Sequence, residues 1–302
     1  AHREGAVVDL DKHSWPWSMM LIPIAKVDLF ELSNNSVWRT KFGFRRASVP
    51  PAAYMEVEQD GGGMTEWGWL SYGFQNYYAL LNCGFRLQPT AGTASGVHPV
   101  PLGYSRVYVH LGDSFRADAW IDGLRRGRSF VTTGPMLFSR LDGRLPGHEF
   151  RYQTVAESRT WDLAIDSISE RPIERVEVIV NGRVAQTLRV NAQQSKQFPQ
   201  GGFQFSSRLT LKLKASSWVA VRSIERQPSG RIRFAHTAPW HITVGGHAVR
   251  PRESEIDFLI ACVKRELQRS SGLLPDSALR EFRTALALYE SIRERAKAND
   301  AP

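Results

Sequence analysis

The sequence is poor in cysteine: Cys83 and Cys262 are the only two, far apart and each in an apolar stretch. That excludes a disulfide framework and a cysteine-ligated zinc site, and both residues read as packed, reduced thiols. Also missing is any apolar run of about twenty residues, so no membrane-spanning helix is expected; the most apolar early stretch, Met19 to Ala25, is too short. There is no long basic tract and no arginine-glycine tail. Lys and Arg (39) outnumber Asp and Glu (30), leaving a net charge of +9. Such a surplus suits an anionic partner, yet the arginines are scattered among acids from Arg39 to Arg295, so no specific nucleic-acid partner is expected. The opening AHREGAVVDLDKH has neither an initiator methionine nor a charged-then-apolar signal pattern, and reads as the start of a fragment or processed form.

What is present is ordinary globular material: 302 residues, 42% hydrophobic and 23% charged, a length at which two domains are expected rather than one. Ala6 to Leu10 reads as a short buried strand ending in Asp11, Lys12 and His13. Val27 to Leu32 reads as a second, ending beside Glu31, Asn34 and Asn35. Polar residues at the carboxyl ends of strands are where α/β folds place their chemistry. From Phe44 to Gly63 the periodicity is lost, and Pro50, Pro51 and three consecutive glycines predict a long excursion. Thr65 to Phe85 is crowded with aromatics and its later part reads as helical, an aromatic core helix being favoured over a ligand-stacking platform.

Beyond the loop Thr90 to Pro99 (TAGTASGVHP), Ser105 to Leu111 alternates like a strand and Ala117 to Arg126 has a helical apolar pattern, so the order strand, helix, strand predicts α/β architecture. Arg125, Arg126 and Arg128 then suit a helix carboxyl terminus or a phosphate contact, the structural role being favoured. After Pro135 the texture changes. Val176 to Val190 is two strand-like runs about Asn181 and Gly182, a hairpin signal, and further short strands at Trp161, Leu209, Trp218 and Arg231 predict an antiparallel β-sandwich. Ile256, Leu259, Ile260, Val263 and Leu267 mark one helical face and Leu279, Phe282, Leu286 and Tyr289 another, with Ser270 to Gly272 as the break: a helical hairpin.

Two histidines draw attention. His13 follows a strand and precedes Trp15, Pro16 and Trp17, a setting for a metal-bound imidazole or, alternatively, for a hydrogen-bonding structural residue. His98 lies where Gly92, Gly96 and Pro99 bend the chain and Thr90, Thr93 and Ser95 add hydroxyls. That arrangement fits a ligating, substrate-contacting loop or a tight structural turn. Asp11 and Glu31 are candidate ligands or proton acceptors, or else partners of nearby cations.

The segments VVDLDKHSWPWSMM, FGFQNYYALLNCGFRLQPTAGTASGVHPVPLGYSRVYVHL and DGLRRGRSFVTTGPML resemble the carboxy-terminal half of PHP-domain hydrolases of the CehA/McbA type, over residues 1 to about 140; FAHTAPWHITVGG is similar to their appended domain. The resemblance implies part of a distorted (β/α)7 barrel over residues 1–140 with the sandwich appended over 141–250, and the helical hairpin read from periodicity then occupies 251–302. It further implies a divalent metal cofactor (zinc, manganese or iron) and hydrolysis of a phosphoester, ester or carbamate in a small-molecule substrate.

Carried over by position, the resemblance makes His13 a metal ligand and matches Glu31, followed by Asn34, to the family's strand-end glutamate. The hydrolase reading adds His98 as the second ligand, Asp11 or Glu31 as the catalytic carboxylate assisting water, and Trp15, Trp17, Thr93 and Ser95 as substrate contacts. The chain departs from the family where the late motif Gly-Ser-Asp-x-His falls on Gly92, Thr93, Ala94, Ser95 and Gly96: no aspartate stands there, and His98 lies two residues beyond the usual histidine. The paired His-x-His that opens such domains is absent, its expected place lying upstream of Ala1. The alternative is therefore a degenerate barrel that binds a small ligand through Trp15, Trp17, Trp67 and Trp69, or a cell-envelope interaction protein whose sandwich does the work. An extracytoplasmic location, periplasmic or secreted, suits the appended sandwich.

Overall fold

In the computed structural model the chain begins with a parallel strand pair: β1 (Asp9–Leu10) lies beside β2 (Leu29–Ser33), with Leu10 opposite Phe30. Parallel neighbours need a crossover. Here it is α1 (Ser18–Ala25), which ends at Lys26 in the left-handed conformation, φ 50°. The stretch Met19 to Ala25 is thus a short helix that buries Met19, Met20 and Ile22. The structure describes residues 2–34, 42–94, 102–153, 159–191 and 193–298. By contact density the chain divides into two units, the first holding residues 1–31, 44–87 and 250–302 and the second 32–43 and 88–249.

Within the first unit the excursion after Phe44 carries a small antiparallel pair, β3 (Gln59–Asp60) with β4 (Gly63–Met64). It leads into α2 (Glu66–Asn82). Thr65 caps α2, its Oγ1 accepting the Gly68 N–H at 3.0 Å, and Glu66 adds an acid to the first turn. Tyr72, Phe74, Tyr77 and Leu80 are each at most 1% exposed. The aromatic crowding is therefore a core helix, as its spacing predicts. Buried tyrosine hydroxyls find acceptors, Tyr72 Oη donating to the Val49 carbonyl and Tyr77 Oη to that of Leu87, both at 2.8 Å.

The second unit is β-rich. Its elements are β5 (Gln88–Ala91), β6 (Arg106–Val109), α3 (Ala117–Arg125), β7 (Ser129–Thr132), β8 (Met136–Leu141), β9 (Glu149–Tyr152), β10 (Arg159–Ser169), β11 (Ile173–Val180), β12 (Arg183–Arg189), β13 (Lys196–Gln197), β14 (Phe203–Leu213), β15 (Ser217–Arg226), β16 (Ile232–Thr237) and β17 (Trp240–Val244). Four strands form one sheet in the order β13-β14-β10-β8. A larger sheet runs β12-β11-β15-β16-β7-β6, with β17 pairing β15 and β9 pairing β17.

Inward residues of both sheets share one apolar cluster. Trp161, Leu163 and Ile165 alternate along β10 into that cluster at no more than 1% exposure. Each such aliphatic side chain contributes about 1.5–3 kcal/mol by leaving water. At the β11–β12 turn, Asn181 and Gly182 take φ 47° and 79°, the left-handed pair that a two-residue hairpin requires and that asparagine and glycine tolerate.

The fold is thus mixed α/β with a β-rich part, and its boundaries differ from the segments 1–140, 141–250 and 251–302. β6 and β7, expected in the α/β portion, are antiparallel to each other, and β7 pairs with β16 in the large sheet. Residue 140 falls inside β8. Alternation identifies a strand but carries no information on its direction or partner, which non-local pairing with β16 decides. Among the described residues there is no closed barrel.

The terminal helices α4 (Glu253–Ser270) and α5 (Asp276–Ala298) form the expected pair, turning at Gly272 with φ 79°. They belong to the first unit rather than to a segment of their own. Tyr289 Oη of α5 donates to the Met19 carbonyl of α1 at 2.8 Å, both buried. No helix among the described residues is long and apolar enough to cross a membrane.

Candidate functional site

β1 and β2 deliver Asp11, His13 and Glu31 to one region of the first unit in different environments. Asp11 is exposed, its carboxylate accepting from Lys12 Nζ at 3.0 Å. An ion pair in water is worth little, and this carboxylate is oriented toward solvent chemistry rather than a dry site. Glu31 on β2 is 8% exposed.

The His13 imidazole stacks on Phe30 at 5.2 Å between centroids and tilts toward Tyr72 at 6.3 Å. Gly73 of α2 makes room for it: a Cβ there would stand 3.2 Å from His13 Nε2. Both ring nitrogens are inaccessible and lack hydrogen-bond partners. Burial lowers the His13 pKa to about 4, against smaller upward pulls from the Glu31 main chain, which falls short of a well-formed hydrogen bond, and from the Asp11 carboxylate. The ring is therefore neutral near pH 7, the form in which imidazole ligates metals.

The four candidate tryptophans do not share one pocket in the contacts they make. Trp15, 45% exposed, packs edge-on against Trp17 at 5.4 Å. Trp67 meets Phe74 at 6.4 Å, and Trp69 meets Phe44 and Tyr72 at 5.3 and 6.2 Å. In the second unit Thr93 is buried at 7% exposure, next to Ala94 at φ 49°. The neighbouring Gly92 N–H donates to the Ser33 carbonyl at 2.9 Å. Ser95 and His98 lie outside the described residues.

A divalent metal calls for three or four converging donors. Among the described residues no three His, Cys, Asp or Glu side chains converge in that way. His13 fits as one donor, neutral and with unpartnered nitrogens, and the described residues add no complete set around it. No protein-family model matches the chain, and no curated protein matches it significantly.

Sequence reasoning passed over a cavity of about 580 Å³ in the second unit, walled by residues of β6, β7 and β8 and by the loop after β6. Phe130 stacks on Tyr108 at 5.3 Å and meets Phe138 edge-on at 5.7 Å there. One signal was legible: Phe138 stands at an outward position of alternating β8, and Phe115 sits in the polar loop GDSFR. They are 49% and 75% exposed.

Proposed function

We propose that this chain is part of a metal-dependent hydrolase of the PHP type, acting on phosphoester, ester or carbamate bonds, with His13 as a nitrogen ligand and Glu31 as the proton-accepting carboxylate. The single observation that carries the reading is the His13 imidazole, held neutral down to about pH 4 with neither nitrogen hydrogen-bonded. A structural histidine in an apolar niche normally satisfies at least one nitrogen. An imidazole that satisfies none has both lone-pair and N–H capacity to offer a missing partner.

When bound, a divalent ion polarises the scissile group and lowers the pKa of a bound water. The chain's own residues set the conditions for that. Phe30 and Tyr72 fix the plane of the ring and exclude water from it, and the largely buried Glu31 carboxylate accepts the proton from an attacking water. A second reading, a degenerate scaffold that binds a small ligand without turnover, draws support from Asp11, whose carboxylate is committed to Lys12 at the surface.

Elemental analysis of purified protein, run beside hydrolysis of bis(4-nitrophenyl) phosphate, 4-nitrophenyl acetate and 1-naphthyl N-methylcarbamate, tests the proposal. Stoichiometric zinc, manganese or iron and turnover of at least one substrate are expected, both lost in His13→Ala. Folded protein with neither metal nor turnover sinks the hydrolase reading, as does a His13→Ala variant that keeps both.

A further inference from the structure

The cavity of the second unit is lined by none of the residues discussed for hydrolysis. Its size, about 580 Å³, lies within the usual range of roughly 300–1,000 Å³ for small-molecule sites. Three rings, Tyr108, Phe130 and Phe138, form an aromatic wall, the first two stacked and nearly parallel at 11° between planes. Phe115, three-quarters exposed, stands among the lining residues. Such an arrangement offers a flat apolar guest both a stacking face and an edge.

Charged side chains of the two signs line the cavity in equal numbers. Arg128 and Arg140 both contribute, with Asp113 and Asp166 opposing them. Asp166 is already occupied, accepting from Ser206 Oγ and Gln204 Nε2. Arg140 donates to the Gly143 carbonyl at 3.1 Å. Arg128 is exposed and its guanidinium has no ion pair among the described residues, which leaves it to recognise an anion from outside.

We propose that this cavity is a binding site for a small aromatic anion, a carboxylate or sulfonate on a one- or two-ring body, with the rings against Tyr108, Phe130 and Phe138 and the anionic group at Arg128. The site stands apart from the hydrolase reading and holds whether or not that reading does.

Calorimetric titration of the full chain with 2-naphthoate, and separately with 2-naphthylmethylammonium, tests it. Saturable binding of one equivalent of the carboxylate is expected, with the cation at least tenfold weaker. Arg128→Gln, at an exposed position, should keep the thermal midpoint and weaken 2-naphthoate at least fivefold. Phe115→Ser, also exposed, reports on the apolar contribution and should weaken both probes. No saturable binding of 2-naphthoate to the folded wild type overturns the proposal. Equal affinity for the cation, or full affinity in both variants, overturns it as well.

Discussion

The Asn82 side-chain amide donates to both carboxylate oxygens of Glu255, 3.0 Å each, across 173 residues of sequence and in the buried interior of the first unit. Glu255 also accepts the Arg252 N–H at 2.9 Å and pairs with the Arg252 guanidinium, so one carboxylate caps α4 and fastens it to the end of α2. Asn82→Ala removes a donor to a buried charge and should destabilise the protein by about 1–3 kcal/mol. Urea unfolding monitored by tryptophan fluorescence measures it, and a change too small to resolve would show that this contact does not hold the C-terminal helices.

Acid should unfold the protein in a window set by its buried histidines. The folded pKa of His13 is about 4 and that of His236 about 3, each lowered by burial from an unfolded value near 6.5. Between those values the unfolded chain binds the extra proton. The stability that comes from keeping each ring neutral is thus fully present above about pH 6.5 and is lost as pH falls through the folded pKa. For His13 the loss is roughly 3 kcal/mol, from about 1.4 kcal/mol per pH unit. His13→Phe, whose ring suits the niche beside Phe30 and Tyr72, should flatten the pH dependence between 6.5 and 4 in denaturant titrations. An unchanged slope would mean that His13 titrates at its ordinary value.

Gly68 is where the segment around Glu58 lies against the first turn of α2. A Cβ at this position would collide with the Glu58 carbonyl oxygen, in the same segment where Ser71 Oγ donates to the Glu56 carbonyl at 2.8 Å and the Thr65 N–H to that of Glu58 at 3.1 Å. Gly68→Ala, favourable by helix propensity alone, should instead destabilise by about 1–3 kcal/mol as the backbone is forced apart. Limited proteolysis should then cut between residues 44 and 64 faster than in the wild type; equal rates would contradict the close approach.

At the β11–β12 turn the two residues are not equivalent. Asn181 Oδ1 accepts the Trp218 N–H at 2.9 Å, besides holding φ at 47°. Asn181→Ala should therefore cost about 1–2 kcal/mol for the left-handed backbone and more for the amide left unpaired beside a fully buried tryptophan. Asn181→Gly, which relieves the backbone and loses only the hydrogen bond, should be the milder change in thermal unfolding. The reverse order would place the weight on conformation elsewhere in the turn.

Local chemistry was enough to read several elements. The aromatic crowding of Thr65 to Phe85 identified a core helix in its later part, though not its start at Glu66, Asn181-Gly182 identified a hairpin, and the apolar faces on either side of Ser270 to Gly272 identified two helices. Each signal acts within a few residues, through left-handed φ or periodicity, so it survives without knowledge of the rest of the chain. Pairing does not have that property. Antiparallel β6 and β7, the entry of β7 into the sheet of β16, and the docking of α5 on Met19 all join residues more than twenty positions apart or depend on a partner chosen from many alternating strands.

The candidate site divides along the same line. Sequence alone determined that Asp11 and His13 follow a strand and that Glu31 belongs to a second one, because strand periodicity and polar termini are written locally, although Glu31 falls at the middle of β2 rather than near its end. Only the tertiary structure decided that Asp11 faces water with Lys12 while His13 is sealed against Phe30, Tyr72 and Gly73 and held neutral. Desolvation depends on what packs around a group, and α2, which supplies Tyr72 and Gly73, lies about sixty residues further along the chain.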